Sequence, residues 1–192
     1  MPLHETPSPA RGAVVRAAFL ASVALGTLSA AASAATTRAV AVLPLAPNAT
    51  TLPYAPLPQP NELTAMTARL RDGLRDGRLR LVPAAAVASA LRRAGYDQRS
   101  AIRACVDAPC ARAVGRAIGA DVVVYGAVTR ALAIVWGTHV YALDVRRGTV
   151  VADLQAGYKG DVTTMTLAES GLGGCVARVI MGRRRCPPDP GY

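Results

Sequence analysis

The spacing of apolar positions divides the chain from residue 39 onward into alternating strand-like and helix-like stretches. Ala39–Leu43 is an unbroken apolar run closed by Pro44, the pattern of a short buried strand. A proline-dense loop follows over 44–60, with Pro47, Pro53, Pro56, Pro58 and Pro60 and a single aromatic, Tyr54. Proline withholds a ladder donor, so this loop is not expected to pair inside a sheet. Leu63, Met66, Leu70 and Leu74 then recur at helical spacing behind Asn61, a residue suited to capping, and the doubled Arg-Asp-Gly of 71–77 marks a frayed, solvated end. Residues 78–82 alternate Arg78, Leu79, Arg80, Leu81 and predict a half-buried strand exposing its two arginines. Pro83 opens a second helix that turns Ala84, Val87, Ala88 and Leu91 inward, and Gly95 ends it. Residues 96–104 show no period.

The stretch from Cys105 to Val128 is the most fully specified. Asp107 is placed to cap a helix and Pro109 fits its first turn, where a missing N–H costs nothing. Ala111, Val114 and Ile118 share one face, Arg112 and Arg116 another, and Gly119 stops the helix. Val122–Val128 reads as a buried strand, followed by a turn at Thr129 and Arg130, a long strand within 131–145, a turn at Gly148 and a returning strand over Thr149–Tyr158. These three strands form an antiparallel meander. Thr163 or Thr164 is positioned to cap a last helix in which Met165, Leu172, Cys175, Val176 and Val179 share a face, interrupted by Gly171, Gly173 and Gly174. That glycine cluster lacks the lysine and hydroxyl residue of a phosphate loop, so it predicts close packing or a kink.

The amino terminus has the form of a targeting segment. Arg11 and Arg16 are a positive region, Ala17–Leu28 an apolar core, and Ala32, Ser33 and Ala34 a small-residue cleavage site. Cleavage after Ala34 leaves 158 residues, enough for one ordinary core. The expected organisation is a signal peptide over 1–34, one domain over 35–181 and a basic, proline-rich tail over 182–192. The expected location is the periplasm or exterior; an uncleaved inner-membrane anchor is the alternative.

Charge narrows the choice of partners. The chain carries a formal +10, and the predicted mature part remains strongly basic, which suits an anionic component of the cell envelope. Arginine supplies every basic residue except Lys159, a bias that a GC-rich genome also produces. Aromatic residues are not interleaved with the arginines, and export is predicted, so nucleic acid is not an expected partner. The exposed candidates for a partner surface are Arg78, Arg80, Arg112, Arg116 and Tyr54.

Four cysteines in an exported chain point to disulfides. Cys105 and Cys110 can close a small loop stiffened by Pro109, and Cys175 and Cys186 can form a second bridge. The spacing of the second pair is wrong for a zinc knuckle. Cys110 in the first turn of a helix also admits thiol-disulfide chemistry, although four intervening residues separate it from Cys105 where redox pairs have two. His139 is the single histidine of the predicted mature chain; it builds no histidine metal site and reads as a strand residue with its hydrogen bonds satisfied. No catalytic residue, cofactor, metal or small-molecule substrate is expected.

The order of elements, with Val42, Leu43 and Pro44 closing the first strand, is joined by a longer signature. It runs Cys105-x4-Cys110-Ala111, then Gly115-Arg-x-Ile118-Gly119-Ala120-Asp121, then Val122–Val124, Gly126 and Val128, and finally Leu143-Asp144-Val145-x-x-Gly148-x-Val150-Val151. With these motifs the chain resembles exported bacterial proteins of a domain of unknown function related to the amino-terminal domain of TolB and to the curli secretion channel protein CsgG. The resemblance spans about residues 38–181. It implies an α/β (α+β) domain, a single mixed sheet with an antiparallel meander flanked by about four helices. It also implies a non-enzymatic role in the envelope: binding or assembly with an unidentified envelope protein or anionic component. A thiol-disulfide protein using Cys105 and Cys110, or a scaffold without a small ligand, are the alternatives. Some of these proteins run from Gly160 and Asp161 into a polar segment ending in Ser-Trp, where this chain has Val162, Thr163, Thr164 and Met165.

Overall fold

A computed structural model describes residues 37–48, 57–75, 79–100, 102–183 and 186. The expected leader and its cleavage site, Tyr54, Arg78 and most of the tail lie outside the described residues.

In chain order the elements are β1 (Arg38–Val42), β2 (Ala46–Pro47), α1 (Pro60–Gly73), β3 (Leu79–Leu81), α2 (Ala84–Arg93), α3 (Ala108–Ala117), β4 (Val122–Leu132), β5 (Val135–Asp144), β6 (Thr149–Lys159) and α4 (Val162–Ile180). The strands form one mixed sheet in the order β3-β1-β4-β5-β6, with β2 pairing beside β4. β1 runs parallel to β3 and β4, while β4, β5 and β6 form the expected antiparallel meander.

Strand alternation sends the sheet's apolar side chains into two cores. Val40, Val42, Val122, Val124 and Val140 pack under α1 and α4 against Met66, Leu70, Met165 and Val176. Ala41, Leu43, Val123 and Leu143 face the other way, under α2 and α3, against Val87, Leu91, Cys105 and Val114. Each helix therefore buries one stripe, and the sheet is covered by two helices on each face.

Several expected boundaries move, each for a local reason. Gln59, not Asn61, precedes the first turn of α1: Pro60 occupies its first position, and the Gln59 N–H donates to the Glu62 carboxylate at 2.6 Å. Asp161, not a threonine, caps α4 by accepting the Thr164 N–H at 2.8 Å. In α2 the inward residues are Val87, Ala90 and Leu91, whereas Ala84 is exposed in the first turn. The proline-rich loop contributes a two-residue strand, because Ala46 and Pro47 extend the line of β1 beside Ala127 and Val128 of β4. β4 does not turn at Thr129 and Arg130. It runs on to Leu132 with a register shift between 130 and 132, since both polar side chains find partners there: Asn48 for Thr129, Glu62 and Trp136 for Arg130.

Candidate functional site

The starts of β1 and β4, the end of β5 and the last turn of α3 meet at one pole of the sheet and enclose a cleft of about 680 Å³. Its charged lining is Arg38, Arg116, Arg146, Arg147, Asp121 and Asp144. Both aspartates are held by the fold. Asp121 accepts the Ala39 N–H at 2.7 Å and locks β4 to β1. Asp144 is buried, accepts the Arg147 N–H at 2.9 Å and faces the Arg147 guanidinium at 3.7 Å, which shapes the turn into β6. Gly148 completes that turn at φ +73°, a backbone angle that suits glycine.

The arginines divide into bracing and free groups. Arg112, one turn before Arg116 on α3, donates to the carbonyls of Val145 and Arg146 at 3.1 and 3.0 Å and lies over Gly148, where a Cβ would strike its guanidinium. Arg38 donates to the Ile180 carbonyl at 3.3 Å, at the negative end of α4. The guanidinium groups of Arg116 and Arg146 are exposed and make no hydrogen bond or ion pair with any described residue. Four guanidiniums thus stand over two carboxylates already engaged, and the unmatched pair points into a concave surface. This arrangement attracts an anion and offers two forked donors to hold it.

Of the surface residues nominated from the sequence, Arg116 lines this cleft and Arg112 braces its rim. Arg80 stands exposed on the short strand β3, paired beside Ala39, and does not line the cleft. Arg38, Asp121, Asp144 and Arg146 were not singled out. They come from three separate stretches of the chain, and only the parallel pairing of β1 with β4 and the turn after β5 bring them together.

Two other groupings have chemical character. At the opposite pole, a cleft of about 630 Å³ lies between the first turn of α1, the end of α2 and residues 96–99. Gln98 ties its floor together, donating to the Pro44 carbonyl at 2.8 Å and accepting the Cys105 N–H. On the sheet face beside α3, the histidine Nε2 of His139 meets Asp153 at 2.6 Å, and Nδ1 meets the Tyr141 hydroxyl at 3.2 Å. Tyr141 also stacks on Tyr125, with ring centroids 5.2 Å apart. Burial raises both tyrosine pKa values, so the hydroxyls remain protonated donors. His139 thus has both ring nitrogens partnered, as expected. Asp153 sits diagonally across the β5–β6 pairing, which a sequence reading of His139 alone does not reveal.

The sulfurs of Cys105 and Cys110 and those of Cys175 and Cys186 lie at disulfide distance, with Cα separations of 5.6 and 5.1 Å. Cys105 and Cys110 are buried against α2 and α3. Among the described residues no group of three or more His, Cys, Asp or Glu is placed to hold a metal ion. No described helix is long and apolar enough to cross a membrane.

A family model described as a protein of unknown function (DUF2380), DUF3280, matches residues 38–165. The chain belongs to the DUF3280 family. The match takes in the whole sheet, α1, α2, α3 and the charged lining of the arginine cleft. No curated protein matches. Among solved structures the chain is similar to the LpoB C-terminal domain from Salmonella enterica, at 17% identity and TM-score 0.47, over 64% of this chain and 83% of that one. It is similar to lipoprotein GNA1162 from Neisseria meningitidis, at 20% identity and TM-score 0.48, over 76% of this chain and 95% of that one. It is also similar to TolB from Acinetobacter baumannii, at 14% identity and TM-score 0.44, over 76% of this chain and 29% of that one. At these identities and scores the likenesses assign no activity to the chain.

Proposed function

We propose that this DUF3280 protein is a non-catalytic binding or assembly module of the bacterial cell envelope that engages an anionic envelope component through the arginine cleft. The observation that carries the reading is the pair Arg116 and Arg146, unpartnered beside Arg38 and Arg147 in a concave surface whose two aspartates are already engaged. The basic balance of the whole chain adds a favourable long-range field for such a partner. The leader expected at the amino terminus places the protein beyond the inner membrane, and kinship with TolB and CsgG belongs to this same reading.

The thiol-disulfide alternative is less well supported. Exchange requires an accessible sulfur, whereas Cys105 is 0% and Cys110 4% exposed. The decisive experiment is binding of the full chain to vesicles containing phosphatidylglycerol, compared with zwitterionic vesicles, across a salt titration. Binding is expected to be selective for the anionic vesicles, to weaken as salt rises and to fall at least tenfold, about 1.4 kcal/mol, in Arg116→Glu/Arg146→Glu. Arg92→Glu, at the opposite pole, is expected to bind as the parent does. Equal loss in both variants would mean that net charge and not the cleft is read, and turnover in an insulin-reduction assay would displace the non-catalytic reading.

A further inference from the structure

The two edges of the sheet are built differently. β3 is three residues long, exposes Arg80 and runs into Pro83, so it offers little for another strand to pair with. β6 is eleven residues long, contains no proline, and no described residue pairs with its outer side. An edge of this length, lightly charged and left unpaired by the described residues, is a template for strand addition.

The usable part of that edge has a definite phase. Gly160, immediately after β6, donates its N–H to Ile134 at 2.9 Å, toward β5. Backbone groups alternate along an antiparallel ladder, so residues 158, 156 and 154 point their N–H and C=O groups at β5. Residues 153, 155, 157 and 159 point theirs outward. Nearer the start of the strand, Ala142 pairs with Ala152 but Leu143 with Val150, so Val151 is the extra residue of a bulge that breaks the outer ladder. The intact stretch therefore begins at Ala152.

Within that stretch the charged side chains are Asp153 and Lys159, which lie on one face of the sheet and are both exposed. We propose that β6 pairs antiparallel with β6 of a second copy of this chain about a twofold axis at Ala156, setting Asp153 of each copy opposite Lys159 of the other. This register satisfies the phase, because the pairs 153 with 159 and 155 with 157 all join outward-facing backbone groups. A register centred on Leu154 or Gln155 draws the bulged Val151 into the ladder and leaves both charges without an opposite partner. Gly157 faces Gln155 across the axis and leaves its side chain room. The dimer has a continuous sheet, with both copies of α4 on the same face.

Light scattering of the full chain over a range of concentrations tests this, with circular dichroism reporting the fold of each variant. The parent is expected to dimerise with rising concentration. Asp153→Lys and Lys159→Asp are each expected to be folded monomers, since each opposes like charges twice across the axis. An equimolar mixture of the two variants is expected to dimerise again, because every opposed pair is then complementary. A parent that stays monomeric, a variant that dimerises alone as the parent does, or folded variants that stay monomeric when mixed would each overturn the proposal.

Discussion

Glu169 is a carboxyl placed where carboxylates are costly. It lies on α4 with no exposed surface, accepts the Thr138 hydroxyl at 2.6 Å through Oε1, and has no partner for Oε2 among the described residues. Burial raises its pKa to about 7, an effect that the Thr138 hydrogen bond only partly offsets. The unfolded chain ionises this group near its ordinary value of 4.5, so between pH 4.5 and 7 the folded state binds the extra proton. Stability is then fully present below the ordinary value and is lost as pH rises toward 7, by about 3 kcal/mol in all. Glu169→Gln keeps an acceptor for Thr138 and removes the titration. Urea unfolding of the two proteins from pH 4 to 8 is expected to show the variant gaining on the parent across that window, with the difference levelling off above pH 7. A constant difference at all pH values would show that Glu169 does not titrate in this range. Nothing in the sequence marked this residue, because a glutamate in a helix reads as surface until the partner under it is known.

The crossing of α1 and α4 depends on glycine. A Cβ on Gly73 would collide with the Ser170 carbonyl, and one on Gly173 with the Leu70 carbonyl, so the two backbones touch where these residues meet. Gly173→Ala or Gly73→Ala is expected to cost about 1–3 kcal/mol by forcing the helices apart. Gly171→Ala, exposed with nothing within 4 Å of the added carbon, is expected to gain up to about 1 kcal/mol from helix propensity alone. Denaturant midpoints of the three variants separate the two effects, and equal behaviour at 171 and 173 would contradict the close approach. The sequence signalled the cluster as packing or a kink without distinguishing its members, since that requires the neighbouring helix. By contrast α3 was legible almost to the residue: Asp107 accepts the Cys110 N–H at 2.9 Å, Pro109 sits in the first turn and Gly119 follows at φ +64°. Caps and stops are local chemistry. The length of β4 was not, because Thr129 and Arg130 look like turn residues until Asn48, Glu62 and Trp136 come from elsewhere to satisfy them.

At the scale of the whole molecule the same division holds: the order of strands and helices follows from apolar spacing, while the arginine cleft assembles from residues near 38, 116, 121 and 146 that only the crossover topology unites. The two cysteine pairs connect that scale to the compartment. Each closes a short loop, spanning 5 and 11 residues of sequence, and loops of that size constrain the unfolded chain by about 2–3 kcal/mol each. The first pair also seats α3, since Cys105 and Cys110 belong to the core beneath it and Gln98 fastens Cys105 to the end of β1. Reduction should therefore lower the urea midpoint, and Cys105→Ser/Cys110→Ser should reproduce part of the drop while leaving the fold cooperative. A protein stabilised in this way is suited to an oxidising compartment, where thiols are not kept reduced. Intact mass of the chain recovered from a periplasmic fraction, with and without alkylation, reads both points together. A mass beginning at Ala35, lighter by the hydrogens of two disulfides and unmodified by the alkylating reagent, is the expected result. A full-length mass with four alkylated thiols, or a urea midpoint indifferent to reduction, would separate the paired cysteines from the stability of the fold and remove the compartment on which the envelope reading rests.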